Sequence, residues 1–202
     1  MLFTKALPFV FLSTVTCLPG APNNIQRAPA ITAADPTYVL PSLKNITTSV
    51  ASLVNVISHY QAPASNQPLF AAVDNTKSAI KTFLDKLKQE KKPFSRPLTT
   101  QVGNALNFSP TGLSGQLASL RDALATQKAA IEVDGSIWNQ LFGDLQGLGN
   151  DLTQTVQQVI SFVSTTPLQG ILTLYVQFIA SALQTAINAL SGGAGPEPEP
   201  EP

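Results

Sequence analysis

The residues that could carry chemistry are few in this chain, and their spacing does not assemble a reaction. One histidine, His59, stands at the end of an apolar-periodic stretch, where a surface or interface role fits better than a catalytic one. No Cys/His cluster accompanies it, so the several N and S ligands that a bound Zn2+ requires are missing. Cys17 is the only cysteine. Gly112-Leu113-Ser114-Gly115 lacks the G-x-S-x-G spacing of a nucleophile on a strand-to-helix turn. No glycine-rich turn after a strand offers N–H groups to a phosphate. Asp122, Glu132, Asp134, Asp144 and Asp151 have the right groups for an acid–base pair. Nothing fixes their separation, and solvated helix faces account for them better. The chain therefore reads as a non-enzyme with no catalytic residues, no metal and no cofactor.

Two further residue groups invite a reading. Lys77, Lys81, Lys86, Lys88, Lys91, Lys92 and Arg96 concentrate positive charge around one predicted helix, diluted by Asp74, Asp85 and Glu90. Negative charge sits at 132–151 and in the Glu-Pro tail. Complementary neighbouring helices explain this division; a docking face for anionic headgroups, fatty-acid carboxylates or an acidic partner is the sharper alternative. Asn45-Ile46-Thr47 and Asn107-Phe108-Ser109 are N-glycosylation sequons. Pro110 follows the second and disfavours its use. Asn45 lies off the apolar stripe of its helix, so glycan there would leave the core intact.

Composition narrows the class. The chain has 202 residues, enough for one domain with a real core. Charged residues make up 12%, about half the ordinary quarter, so Ser, Thr, Gln and Asn must supply the polar surface. Formal net charge is zero, which excludes a strong field for nucleic acid. Lys5 followed by the apolar Ala6 to Val15 reads as a signal peptide over residues 1–20, too short to span a bilayer. Cleavage between Cys17 and Ala21 would leave 11 Lys+Arg against 12 Asp+Glu. A secreted protein without disulfides must be held by its core alone.

The elements that position these residues are helices. Residues 21–36 read as an irregular N-terminus, 37–191 as the helical domain, and 192–202 as a Gly/Pro/Glu-rich disordered tail of extended, polyproline type. In the first helix, about 37–61, Val39, Leu43, Ile46, Val50, Leu53, Ile57 and Tyr60 alternate steps of four and three, which places them on one face. The second, about 67–91, repeats the steps at Leu69, Val73, Thr76, Ile80, Phe83 and Leu87. Residues 93–110 form a connector with a short helix over Leu98 to Leu106. The third helix is expected to start at Ser109-Pro110, as N-cap and N1 proline. Its stripe is Leu113, Leu117, Leu120, Leu124 and Ile131, interrupted by Gln127, and Asp134-Gly135 ends it. The fourth, about 136–163, carries Ile137, Leu141, Leu145, Leu148, Leu152, Val156, Val159 and Phe162. Gly143 and Gly147 have the spacing of a close helix approach, and Gly147-Leu148-Gly149 reads as a bend. The fifth runs about 167–190. The fold class is all-α, an antiparallel bundle of about five helices.

No charged residue occurs between Asp151 and Glu197. The fifth helix lies wholly inside that run, with Thr173, Gln177, Ser181, Gln184, Thr185 and Asn188 as its only polar stripe. Three roles compete for it: a core helix, a wall for an apolar ligand or surface, and a membrane span. Six polar side chains weigh against the span. Ligand cavities in bundles form between helices, lined by apolar side chains. The candidate lining residues are the large ones near mid-helix: Leu53, Ile57, Ile80, Phe83, Leu117, Leu120, Leu124, Trp138, Leu141, Leu145, Phe178 and Leu183.

The layout resembles the fungal hydrophobic surface binding protein A family, which includes cell wall galactomannoproteins. Pro97-Leu98-Thr99, then Leu117-x-x-Leu120-x-x-x-Leu124-x-x-x-Lys128-Ala129-Ala130-Ile131, then Leu141-x-x-x-Leu145 carry the resemblance, which covers roughly 38–165. It implies a helical bundle outside a fungal cell that adsorbs to hydrophobic surfaces, sits in the wall as a mannoprotein, or holds fatty acids between helices. It brings no catalytic residues. The long apolar fifth helix and the Glu-Pro tail depart from the family pattern, and the tail has no apolar stretch for a lipid anchor. The sequence thus reads as a secreted, non-enzymatic binder of fatty acids or hydrophobic surfaces, with cell wall polysaccharide as a further partner. The alternatives are a structural cell wall mannoprotein and a membrane-active effector.

Overall fold

The computed structural model describes residues 35–61, 66–133, 135–163 and 166–191. The leader, most of the irregular N-terminus, Asp134 and the Glu-Pro tail lie outside the described residues. Six α-helices occur among those described: α1 (Val39–Ser58), α2 (Gln67–Leu87), α3 (Arg96–Leu106), α4 (Leu113–Glu132), α5 (Gly135–Ser161) and α6 (Thr166–Ser191). The five long expected helices are all present, and the short connector helix becomes α3.

Each long helix turns its expected stripe inward. Val39, Leu43, Ile46, Val50, Leu53 and Ile57 of α1 are fully buried. So are Leu69, Val73, Ile80, Phe83 and Leu87 of α2, with Thr76 among them. Thr76 is tolerated there because its hydroxyl donates to the Ala72 carbonyl one turn back. Gln127, the break in the α4 stripe, is half-buried and donates to the Ser58 carbonyl at the end of α1. A helix end leaves its last carbonyls unpaired, so this amide closes α1 from a neighbouring helix.

The helices are arranged as a ring. α1 packs on α2 and α4, α2 on α5, α5 on α6, and α6 on α4. The short α3 lies against α1, α4 and α6. Aromatic contacts pin the connections. Phe94 donates its backbone N–H to the Phe162 carbonyl at 2.8 Å and stacks on the Phe162 ring with centroids 5.3 Å apart. This fastens the segment after α2 to the end of α5. The Tyr60 hydroxyl donates to Asn66 Oδ1 at 2.8 Å, drawing α1's exit to α2's entry. Asn66 stands at the α2 N-cap position, yet its side chain caps no helix N–H.

Two local expectations need correction. α4 begins at Leu113 behind Gly112, not at Ser109-Pro110. Asn107 Oδ1 accepts the Ser109 N–H, and Gly112 N–H returns to the Ser109 carbonyl at 2.8 Å, so 107–112 closes as its own turn. The cap at the neighbouring α3 does form: Ser95 Oγ accepts from Leu98 N–H at 3.2 Å, with proline in the first turn. The α5 helix runs continuously through Gly147 and Gly149. Second, Gly143 is no point of close approach. A Cβ there would meet nothing within 4 Å, and one at Gly147 would only touch Lys77 Cε at 4.0 Å.

The glycines that do matter are Gly112 and Gly115. A Cβ on Gly112 would overlap the side chain and carbonyl of Asn107, and one on Gly115 would overlap the Ser109 carbonyl. Backbone on backbone cannot yield as a side-chain tip can. Gly115→Ala should therefore cost about 1–3 kcal/mol, the range for overpacking. Gly143→Ala, in open space on a helix, should gain about 0.5–1 kcal/mol from helix propensity. Urea unfolding of the two variants checks the opposite signs.

Candidate functional site

The ring encloses one continuous apolar core drawn from all six helices. Of the sequence-predicted lining residues, Leu53, Ile57, Ile80, Phe83, Leu117, Leu120, Leu124, Leu141 and Leu145 all belong to it and are no more than 1% exposed. Trp138 is partly buried at its edge, near the start of α5. Phe178 is half-buried on α6, and the Leu183 side chain lies outside the described residues. The structure thus joins nine of these residues in one interior and places Phe178 elsewhere, in a surface cluster.

No charged side chain is fully buried among the described residues. The buried polar ones are Thr76, Thr99, Ser114 and Thr155. Their hydroxyls donate to the carbonyls of Ala72, Ser95, Leu106 and Asp151 respectively. Each hydroxyl hydrogen is therefore spent on the backbone. An anionic group placed mid-core would find no donor, and an unpaired buried charge is very costly. The interior is apolar among the described residues, and a charged group there would be unpaired.

The surface clefts are chemically distinct from this core. One of about 400 Å³ runs between α1 and α2 and is lined by Asn45, Thr48, Ser49 and Ser52 from α1 and by Asn75, Ser78 and Thr82 from α2. A second, of about 320 Å³, lies between α5 and α6 among Gln146, Asn150, Gln154, Gln157 and Gln184. A third, of about 460 Å³, is mostly apolar and sits at the α1–α3 junction beside Leu40, Pro41, Pro97 and Leu98.

An exposed apolar cluster, which periodicity missed, occupies the outer side of α6. Phe108 packs edge-on against Phe178 at 4.6 Å and Tyr175 at 5.2 Å between ring centroids. Phe108 remains 52% exposed, and Ile171 and Leu174 are 46% and 61% exposed. Ile171, Leu174 and Phe178 fall at i, i+3 and i+7, one helix face. The polar stripe from Thr173 to Asn188 is exposed as expected, while Leu172, Val176, Ile179 and Ala182 face the core. The signal for the apolar outer face was the excess of large apolar residues over what one buried face can hold.

The charge division reads as a fold feature. Lys77 of α2 pairs with Asp144 of α5, both partly buried, across two helices that pack together. Such a pair contributes only about 0–1 kcal/mol. Lys88 pairs with Asp85 within α2. Lys86 Nζ lies 5.9 Å from the Tyr38 ring, and burial and then Glu90 raise the Tyr38 phenol above its ordinary ionisation range. His59 is exposed, its Nδ1 2.8 Å from the Asn55 carbonyl, so it closes its own helix end. No group of acidic, His or Cys residues that could hold a metal occurs among the described residues, and none of their helices is long and apolar enough to cross a membrane. Asn45 is exposed on α1, whereas Asn107 is half-buried and bound into its turn.

No protein-family model matches the chain, and no curated protein matches it. Solved structures share its fold. Ligand binding domain 1 of the Penicillium marneffei MP1 protein, complexed with arachidonic acids, superposes with a TM-score of 0.66 at 23% identity, over 74% of this chain and 94% of that one. AFMP4P in complex with palmitic acid gives 0.68 at 20% identity, over 77% and 99%. Ligand binding domain 2 of MP1, complexed with multiple arachidonic acids, gives 0.67 at 18% identity, over 80% and 99%. The chain has the all-helical fold of these ligand-binding domains and spans nearly their whole length.

Proposed function

We propose that this protein is a secreted, non-enzymatic binder of long-chain fatty acids, related to the fungal proteins that share its fold. One observation carries the reading: an interior with no fully buried charged side chain among the described residues, in a fold whose solved examples include complexes with arachidonic and palmitic acid. The acyl chain enters between the helices, against Leu53, Ile57, Ile80, Phe83, Leu117, Leu120, Leu124, Leu141 and Leu145. Its carboxylate stays at the rim, because the interior hydroxyls are already committed to backbone carbonyls. Each buried CH2 contributes about 0.8 kcal/mol, so chain length sets affinity.

Trp138 reports on this directly. Palmitic acid titrated into the delipidated full chain should change Trp138 fluorescence saturably. It should also raise the melting temperature, since ligand at about a hundred times Kd stabilises by about 2.7 kcal/mol. Unchanged fluorescence together with an unchanged melting temperature would sink the proposal.

The exposed cluster on α6 supports a second reading, adsorption to hydrophobic surfaces. A patch of large apolar side chains on a soluble protein marks a contact site. The double variant Ile171→Ser/Leu174→Ser should hold its stability within about 0.5 kcal/mol, the usual range for surface changes. It should be retained less on an alkyl-coated resin; equal retention would show that the patch is not the contact.

Export is the remaining step. The Lys5 and Ala6 to Val15 leader supports it. Protein collected from culture medium should begin at a new N-terminus between Cys17 and Ala21, as read by N-terminal sequencing.

A further inference from the structure

We propose that Asn45 carries an N-linked glycan whose first sugars lie in the groove between α1 and α2. The proposal rests on the export step of the function above, not on fatty-acid binding. Asn45 opens a sequon and is exposed, and its side chain is itself part of the groove wall. Thr48, Ser49, Ser52, Asn75, Ser78 and Thr82 complete that wall. Among the described residues none of these side chains hydrogen-bonds to another protein group. The polar groups of the groove are therefore hydroxyls and amides, unspent and uncharged. Vicinal hydroxyls and an acetamido group, the chemistry of an N-linked core, pair with such a wall donor for acceptor. Ala72 and Ala79 in the same groove give the sugar C–H face an apolar seat. At about 400 Å³ the groove has room for the start of a glycan and not for a whole one. The second sequon offers no such seat, because the Asn107 amide oxygen is held by the Ser109 N–H.

Attachment joins Asn45 Nδ2 to the anomeric carbon of an oligosaccharide carried on a polyprenyl pyrophosphate. The sugar–oxygen bond to the pyrophosphate breaks, and the lipid pyrophosphate leaves with the electron pair. One Nδ2 proton passes to a base of the transferase. The neutral amide remains neutral, so the core below Asn45 is undisturbed.

The test exports the full chain from a glycosylating yeast behind a separate added leader, so failure of the chain's own leader cannot obscure the result. Intact mass should show a glycan that Asn45→Gln and Thr47→Ala both remove. Amide hydrogen exchange over residues 72–82, across the groove from the attachment point, should be several-fold slower in the glycosylated protein than in either variant. Asn75→Ala/Ser78→Ala should keep the glycan mass and lose that protection. An exported chain without glycan at Asn45 would overturn the proposal. So would a glycosylated chain whose exchange over 72–82 equals that of Asn45→Gln. Palmitic acid titration of the same samples reads the fatty-acid proposal independently.

Discussion

The apolar seams of α1, α2, α4, α5 and α6 have to share one interior, and that interior admits no charge among the described residues. Everything else in the structure accommodates this. Ring closure by α4 against both α1 and α6 turns the seams of the described helices inward. Gln127 leaves the α4 stripe only to close the exposed end of α1. Phe94 stacks on Phe162 so that the connector after α2 also contributes to the core. No disulfide joins the described helices, so non-covalent contacts of this kind hold them together.

The surface answers a different demand. With so few charges, solubility falls to Ser, Thr, Asn and Gln, and these gather where two helices meet. Most of the residues lining the α1–α2 and α5–α6 grooves carry such groups. The outer side of α6 departs from that pattern, with Ile171, Leu174 and Phe108 in solvent. One protein thus offers an apolar interior, an apolar patch and neutral polar grooves, three surfaces suited to three kinds of contact.

Much of this was legible in the residues. Steps of four and three fixed the buried face of each long helix, because a 3.6-residue repeat allows no other common face. Thr76 could be assigned to the core by spacing alone. The start of α4 could not. A Ser-Pro pair signals a helix start in isolation, but Asn107 takes the Ser109 N–H and two glycines let the turn fold onto α4. That competition is between neighbours in space. Nine residues of the candidate lining set lie in the core, while Phe178 belongs to a cluster with Phe108 from a distant turn. Periodicity says which residues point inward, and it is silent on which elements meet.

The four buried hydroxyls carry one more implication. Those of Thr76, Thr99 and Thr155 bond one turn back along the chain, each to the residue four before it. Only Ser114 bonds outside its own helix, to the last residue of α3. The long helices are consequently not keyed to one another through the core by directional bonds. Apolar contacts slide and re-form without a geometric threshold, whereas a broken buried hydrogen bond leaves an orphan group. Parting two of the long helices would therefore break no hydrogen bond made by Thr76, Thr99 or Thr155.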